Sequence, residues 1–438
     1  MGGRGGAIFL LLLGAFIWLS SWSFLQLLRA PAIPNHPFVI FSSVVLVAFL
    51  LILILRYFVL MWFSYLDHLE ELLEDEAPPF TPMVSIIVPA FNEGKVIERS
   101  LQSLLTLDYP NYEIIVVDDG SWDDTYARAH AFEGIQGQQH VRVRVARQLN
   151  AGKARALNRG ISWAEGALVL CMDGDSKLTS DCLRQAVRHF ADPTIGAVAG
   201  NVKVVNRQRL LTKLQALEYI EGLNLVRKAQ GFFRIVNIIP GPVGMFRKEV
   251  LEQVGYYAPD TYAEDCDLTL HILIHGWKIK YEPRAIAYTE APENIPDLIR
   301  QRYRWTRGIL QSIRKHKQAL ISTQYGMTNS LVLWYMLFEA LVWPALNVLT
   351  NLLFVALGVL YGFSYFAVFW WFQLTLLDLG AALYCVILER ESLRLVPYSI
   401  FYRLFFILAV DVVKLLGALD ELLGLRMTWG KLERSGRL

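Results

Sequence analysis

Apolar residues in this 438-residue chain gather at its two ends, in residues 1–65 and 329–438, and leave a middle of mixed, globular composition. That segregation constrains the fold more than any motif, because a run of about 20 apolar residues is what a helix needs to cross a bilayer. Residues 7–28 and 38–64 reach that length almost without charge, and both are expected to span. Residues 329–360 and 365–388 do the same near the other end, followed by a further apolar stretch at 397–420. The chain reads as membrane, soluble domain, membrane.

Arg4 before the first stretch and Ala30-Pro31-Ala32 after it have the look of a cleavable signal peptide. The apolar run is longer than the about 7–15 residues of a signal core, so a retained span is expected. Residues 397–420 carry Arg403, Asp411 and Lys414 on one helical face that cannot meet lipid. This segment either spans with that face toward other helices or lies in the interface. The stretch 300–317 has seven basic and no acidic side chains, among them Arg300, Arg302 and Arg307, just before an apolar segment. The positive-inside rule places it in the cytosol. Three full C-terminal spans would export the basic tail Arg426, Lys431, Arg434 and Arg437, so four spans and an interfacial last helix are expected, with five as the alternative. The expected divisions are two N-terminal spans in 1–65, a cytosolic domain in 66–295, interfacial amphipathic helices in 296–328, and spans, interfacial helices and tail in 329–438. Such a chain belongs to the inner or plasma membrane, in contact with lipid.

A net charge of +2 gives no reason to expect nucleic acid as a partner. Cys171, Cys182, Cys266 and Cys385 share no metal-ligand spacing and read as buried thiols. His271 and His275 have the i,i+4 spacing of a zinc pair, but no zincin pattern accompanies them, and one helix face accounts for them.

In the middle, residues 84–90 and 113–117 are short β-branched runs that look like buried parallel strands, with a helical pattern from Val96 to Leu107 between them. A third run, 167–172, leads directly into Asp173-Gly174-Asp175. Ligands of open parallel sheets bind beyond the carboxyl ends of the strands, so Asn92-Glu93, Asp118-Asp119 and Asp173/Asp175 should converge on one crevice. Buried carboxylates are costly without a cation, and hard oxygen ligands suit Mg2+ or Mn2+ held together with substrate phosphates. No glycine-rich dinucleotide or P-loop fingerprint is present.

Six marks in order, Val88-Pro89-Ala90-Phe91-Asn92-Glu93, Val117-Asp118-Asp119-Gly120-Ser121, Gly152-Lys153 through Asn158, Asp173-Gly174-Asp175, Ala263-Glu264-Asp265 and Gln301-Arg302-Tyr303-Arg304-Trp305, resemble family 2 glycosyltransferases over 82–308. The last mark is similar to the Gln-x-x-Arg-Trp motif of membrane-embedded processive synthases of cellulose, chitin, hyaluronan and poly-N-acetylglucosamine. The resemblance implies an α/β GT-A fold, Rossmann-like with a mainly parallel sheet, inserted between transmembrane helices. Two positions depart from the family's pattern. Ala263 stands where many members have threonine, and Phe91 where tyrosine is frequent.

By resemblance Asp175 and Asp173 hold the metal, and Pro89, Asn92, Glu93, Asp118, Asp119, Lys153, Asp173 and Arg304 surround the donor. Asp265, at the start of a helix over Cys266–His275, is the expected general base, with Glu264 beside it. Gln301 and Trp305 share a helix face with Arg304 and, with Gly244, are expected to border the acceptor. One base acting directly implies inversion at the anomeric carbon. The expected activity is polymerisation of a sugar from a UDP-sugar, UDP-N-acetylglucosamine first, onto a growing β-linked glycan that is passed through the membrane. A single transfer to a lipid or lipid-linked acceptor is the alternative. Whether an accessory export subunit takes part is left open, and a regulatory nucleotide binder is disfavoured by the intact site motifs.

Overall fold

The computed structural model describes residues 36–73, 80–136, 140–322, 326–362 and 365–425, together with helical positions 11, 14, 15, 17–22 and 25. The expected first span at 7–28 and the basic tail therefore lie largely outside the described residues.

The soluble domain is built on nine strands, β1 (Val84–Ala90), β2 (Tyr112–Asp118), β3 (Gly134–Gln136), β4 (Val141–Arg147), β5 (Leu168–Cys171), β6 (Ser176–Leu178), β7 (Ile195–Val204), β8 (Gly244–Arg247) and β9 (Lys278–Thr289). They form one sheet in the order β3-β4-β2-β1-β5-β8-β7-β9-β6. Pairings β4-β2, β2-β1, β1-β5 and β7-β9 are parallel. The other four are antiparallel, so the sheet is mixed, and the parallel character read from the apolar runs belongs to its first half.

All seven residues of β1 and all seven of β2 are buried, because helices cover both sheet faces. Side chains alternate between faces. Ile86, Val88, Ile114 and Val116 join one apolar layer, and Ile87, Ile115 and Val117 the other, where they meet Leu157 and Ile161 of helix α1 (Lys153–Trp163). The pairing of Ala90 with Asp118 and of Ile87 with Cys171 brings three strand ends to one edge. Because β8 runs the other way, its first residue, Gly244, pairs with Cys171, and the loop before it opens on that same edge.

Helix α2 (Leu225–Phe232) follows a π-helical turn over Glu218–Asn224. Helix α3 (Glu264–Ile274) starts two residues earlier than expected, with Ala263 as its N-cap. Helix α4 (Ile295–Lys315) begins at Asn294, whose side chain accepts from the Asp297 N–H at 2.9 Å, with Pro296 in its first turn.

Three helices among the described residues are long and apolar enough to cross a bilayer, Pro37–Leu73, Met327–Tyr361 and Phe366–Leu388, which marks a membrane protein. The stretch 397–420 is not one of them. It breaks into a short helix at Ser399–Phe401, a π-helical segment at Tyr402–Ile407 and a helix at Leu408–Leu422. Its polar face points into protein. Arg403 Nε donates to Asp378 Oδ2 at 2.6 Å and Nη2 to the Tyr57 hydroxyl at 3.1 Å. Asn347 Nδ2 donates to Asp411 Oδ2 at 2.8 Å, and Lys414 lies 3.2 Å from Asp411 Oδ1. Glu339 pairs with Arg56 at 2.9 Å, Gln373 accepts from Ser20, and Asn351 donates to the Asn347 carbonyl. The Arg403–Asp378, Arg403–Tyr57, Asn347–Asp411, Glu339–Arg56 and Ser20–Gln373 contacts thus tie helices to one another, while Asn351 and Lys414 bond within their own helices.

Candidate active site

Three loops leave the strand edge and are stitched together. Asn92, in the left-handed region at φ 53°, donates its N–H to Ser121 Oγ at 2.8 Å and accepts from the Trp122 N–H at 3.0 Å. The Glu93 N–H donates to Thr125 Oγ1 at 2.7 Å. Asp118 is fully buried at the end of β2, with Arg147 Nε 3.2 Å from its carboxylate. Asp119 accepts from Gln148 Nε2 at 2.7 Å and from the N–H groups of Ala151 and Gly152 at 2.9 and 2.8 Å. Those bonds fix the start of α1, and with it Lys153. Pro89 lies within β1 opposite Val117.

Lys153 joins the two sides of the crevice. Its Nζ lies 2.7 Å from Asp173 Oδ1 and 2.8 Å from Glu264 Oε1. Burial opposes its charge, but the carboxylates of Asp173, Glu264 and Asp265 outweigh that and hold the ammonium well above its ordinary range. The same pairing keeps Glu264 below the usual carboxylate range against its burial. Asp265 goes the other way. Burial and the neighbouring Glu264 charge push its carboxyl up to about 6, with Lys153 and Arg304 pulling back. One oxygen of Asp265 accepts from the Cys266 N–H at 2.8 Å. Two adjacent carboxyls are thus driven apart in acidity by one lysine that touches only the first. Asp175 is buried to 3% exposure at the head of β6, beside Asp173 on the crevice edge.

The wall opposite is helix α4. Gln301 is buried and accepts from Arg302 Nη1 at 2.7 Å, and Arg304 Nη1 reaches the Tyr262 carbonyl at 3.5 Å. Trp305 is half-buried, 6.5 Å from the Tyr219 ring, and the Arg302 guanidinium lies 4.1 Å from its ring centre. Trp305 is therefore not an open platform on both faces. This contact is an i,i+3 pair, and the helical spacing could have disclosed it.

Gly244 is a correction to the expected acceptor wall. It lies within the sheet, paired with Cys171 and Ala199, and a Cβ there would come 2.6 Å from Ile239. A side chain at that position would displace Ile239. Gly241, three residues earlier, is the residue at the crevice, where a Cβ would stand 3.0 Å from Lys153 Nζ and 3.1 Å from Asp173 Oδ2. A side chain there would crowd the ion pair and press Lys153 and Asp173 aside.

The profile of Glycosyltransferase like family 2 matches residues 81–308, more than half of the chain and the whole of this crevice. The chain belongs to that family. This family 2 member is 32% identical to a poly-β-1,6-N-acetyl-D-glucosamine synthase of Staphylococcus epidermidis over 257 residues, 58% of this chain and 60% of the relative. It is 33% identical to the synthase of that name from Staphylococcus aureus strain COL over 226 residues, 51% of this chain and 54% of the relative. The chain thus matches less than two thirds of the length of these relatives. A mannosyltransferase from Pyrobaculum calidifontis, solved in complex with GDP-Man and Mn2+, superposes with a TM-score of 0.60 at 22% identity, covering 87% of this chain and all of that one. The mixed sheet with helices on both faces is the GT-A fold, as the sequence motifs implied.

Proposed function

We propose that this family 2 member is an inverting, metal-dependent glycosyltransferase that polymerises N-acetylglucosamine from its UDP-sugar into a β-linked glycan at the membrane. The observation that carries the reading is the Lys153 bridge between Asp173 and Glu264, which brings a cation, acidic oxygens and the raised carboxyl of Asp265 into one crevice. The sugar and the repeated transfer come from the two staphylococcal synthases.

The oxygen-only side chains of Asp173 and Asp175 fit a hard divalent cation, Mg2+ or Mn2+, and would hold it. When bound, it supplies charge to neutralise the departing diphosphate. The chain's own groups do the rest. Asp118, Asp119, Asn92, Glu93 and Pro89 line the nucleotide side. Lys153, permanently cationic between its carboxylates, trades Asp173 for donor phosphate, and Arg304 adds a second fixed charge. Asp265, ionised near neutral pH yet more basic than an ordinary aspartate, takes the proton from the acceptor hydroxyl as that oxygen attacks the anomeric carbon. A single displacement inverts the centre, so an α-linked donor yields a β-linkage. Trp305, half-buried, offers the accessible part of its indole to the acceptor ring.

The domain is placed in the cytosol, with α4 along the membrane surface, because the basic run 300–317 precedes a span. The paired polar groups of the membrane helices do not by themselves provide a route for the glycan. Purified protein given a panel of UDP-sugars with Mg2+ or Mn2+, followed by product sizing and linkage analysis, tests the reading. Long β-linked N-acetylglucosamine chains are expected. Singly extended products with every donor and acceptor would replace polymerisation by a single transfer.

A further inference from the structure

Helix α3 carries a second set of ligand-type side chains besides Glu264 and Asp265. Asp267 and His271 stand i,i+4 on α3, and His316, the residue that ends α4, folds against them. One ligand atom from each of the three lies within 4.8 Å of the other two. His275, the other half of the sequence's i,i+4 histidine pair, is turned aside by a bond from its Nδ1 to the His271 carbonyl at 2.8 Å.

Two of the three are already oriented from behind. His271 Nδ1–H donates to the Val254 carbonyl at 3.2 Å, which fixes the tautomer and leaves Nε2 as the lone-pair nitrogen. Asp267 Oδ1 lies 2.9 Å from His316 Nε2, while its other oxygen is held by Lys315 Nζ at 2.9 Å. The His271 and His316 rings stand edge to face with centroids 4.5 Å apart. Metal-ligating imidazoles have this kind of carbonyl partner on the far nitrogen, and metal-ligating carboxylates have this kind of outer hydrogen bond. An ion pair of Asp267 with His316 and Lys315 would hold the two helices without using His271 at all.

We propose that Asp267, His271 and His316 form a binding site for a divalent cation of the zinc class, separate from the oxygen-only pair Asp173 and Asp175. Two imidazoles and one carboxylate, with water completing four-coordination, select a borderline cation such as Zn2+ or Co2+ over Mg2+. The cation staples the helix that opens with Glu264 and Asp265 to the end of the helix that carries Gln301, Arg304 and Trp305. This site does not depend on the proposed reaction.

The test uses the full chain purified in detergent without a polyhistidine tag, stripped with chelator and titrated with Co2+. A tetrahedral visible absorption band should grow to saturation, and Zn2+ should displace it and raise the melting temperature. His271→Ala and His316→Ala should each lose the band, with affinity weaker on the order of 100-fold or more. His271→Gln, closer in size, guards against a folding defect and should lose the band while melting like the wild type without metal. Asp175→Asn should keep it. The proposal is overturned if wild type and His271→Gln bind Co2+ alike, or if the band vanishes in Asp175→Asn and survives in the histidine variants.

Discussion

The Arg302 guanidinium lies 4.1 Å from the centre of the Trp305 ring, and its Nη2 donates to Glu218 on the neighbouring π-helical turn. A planar cation thus covers one indole face, and the ring as a whole stays half-buried against the core. Trp305→Ala should shorten or abolish polymer while donor hydrolysis persists, as product sizing alongside a UDP-release assay would show. Arg302→Lys keeps the charge but loses the stacked plane, and should lower acceptor use on the order of tenfold with donor affinity unchanged. Equal losses for donor and acceptor would assign the stack to folding instead.

Asp265 and Asp175 should fail differently. Asp265→Ala removes the base and should cost about 10²- to 10⁴-fold in turnover while UDP still binds in a metal-dependent way. Asp175→Ala should lose that metal-dependent affinity. Calorimetry with UDP and Mn2+ separates them, and a matching loss in both variants would exchange the assigned roles.

The acid limb of the rate should follow Asp265. A general base works only when ionised, so activity should fall as pH drops through about 6. Burial and the Glu264 charge are what hold that carboxyl up. Glu264→Gln removes the second cause and frees the Lys153 charge to act on Asp265, so the limb should move to lower pH in whatever activity remains. A limb moving upward in a kcat profile contradicts this electrostatic picture.

Sidedness can be read by labelling, because all four native cysteines are buried. Ser162 is exposed on α1, and Ser162→Cys should stay unreactive toward a membrane-impermeant reagent in intact cells and react after permeabilisation. Ser121 would be a poor reporter, at 2% exposure with its hydroxyl accepting from Asn92.

Strands β1, β2 and β5 are legible because each is a short, largely apolar run, leading into Asn92-Glu93, Asp118-Asp119 and Asp173/Asp175 in turn, and a buried parallel strand writes that pattern locally. Lys153 was named by motif, yet its bridging position was not, since Glu264 lies 111 residues away and no local spacing records such contacts. The antiparallel pairing of β8 with β5 and β7 leaves no local mark in the sequence. Only the sheet shows why Gly241, and not Gly244, reaches the crevice. The pairing of His316 with Asp267 was invisible for the same reason, so the histidine spacing on α3 read as an ordinary helix face.

Helix Pro37–Leu73 runs on beyond its apolar stretch, and its last turns hold Asp67, Glu70 and Glu71 against the soluble domain. Lys280 lies 3.1 Å from Asp67 and Lys228 lies 3.4 Å from Glu71, at only 5% and 3% exposure. A fragment beginning at residue 80 would lose these carboxylates together with the helix that buries both ammonium groups, so the lysines and the apolar side of Leu225–Phe232 would face water. The soluble domain is thus packed and charge-paired across its natural-looking boundary. Its solubility as an isolated piece, and any crystallisation or screening effort that depends on it, hinges on a helix that hydropathy alone would discard as an anchor.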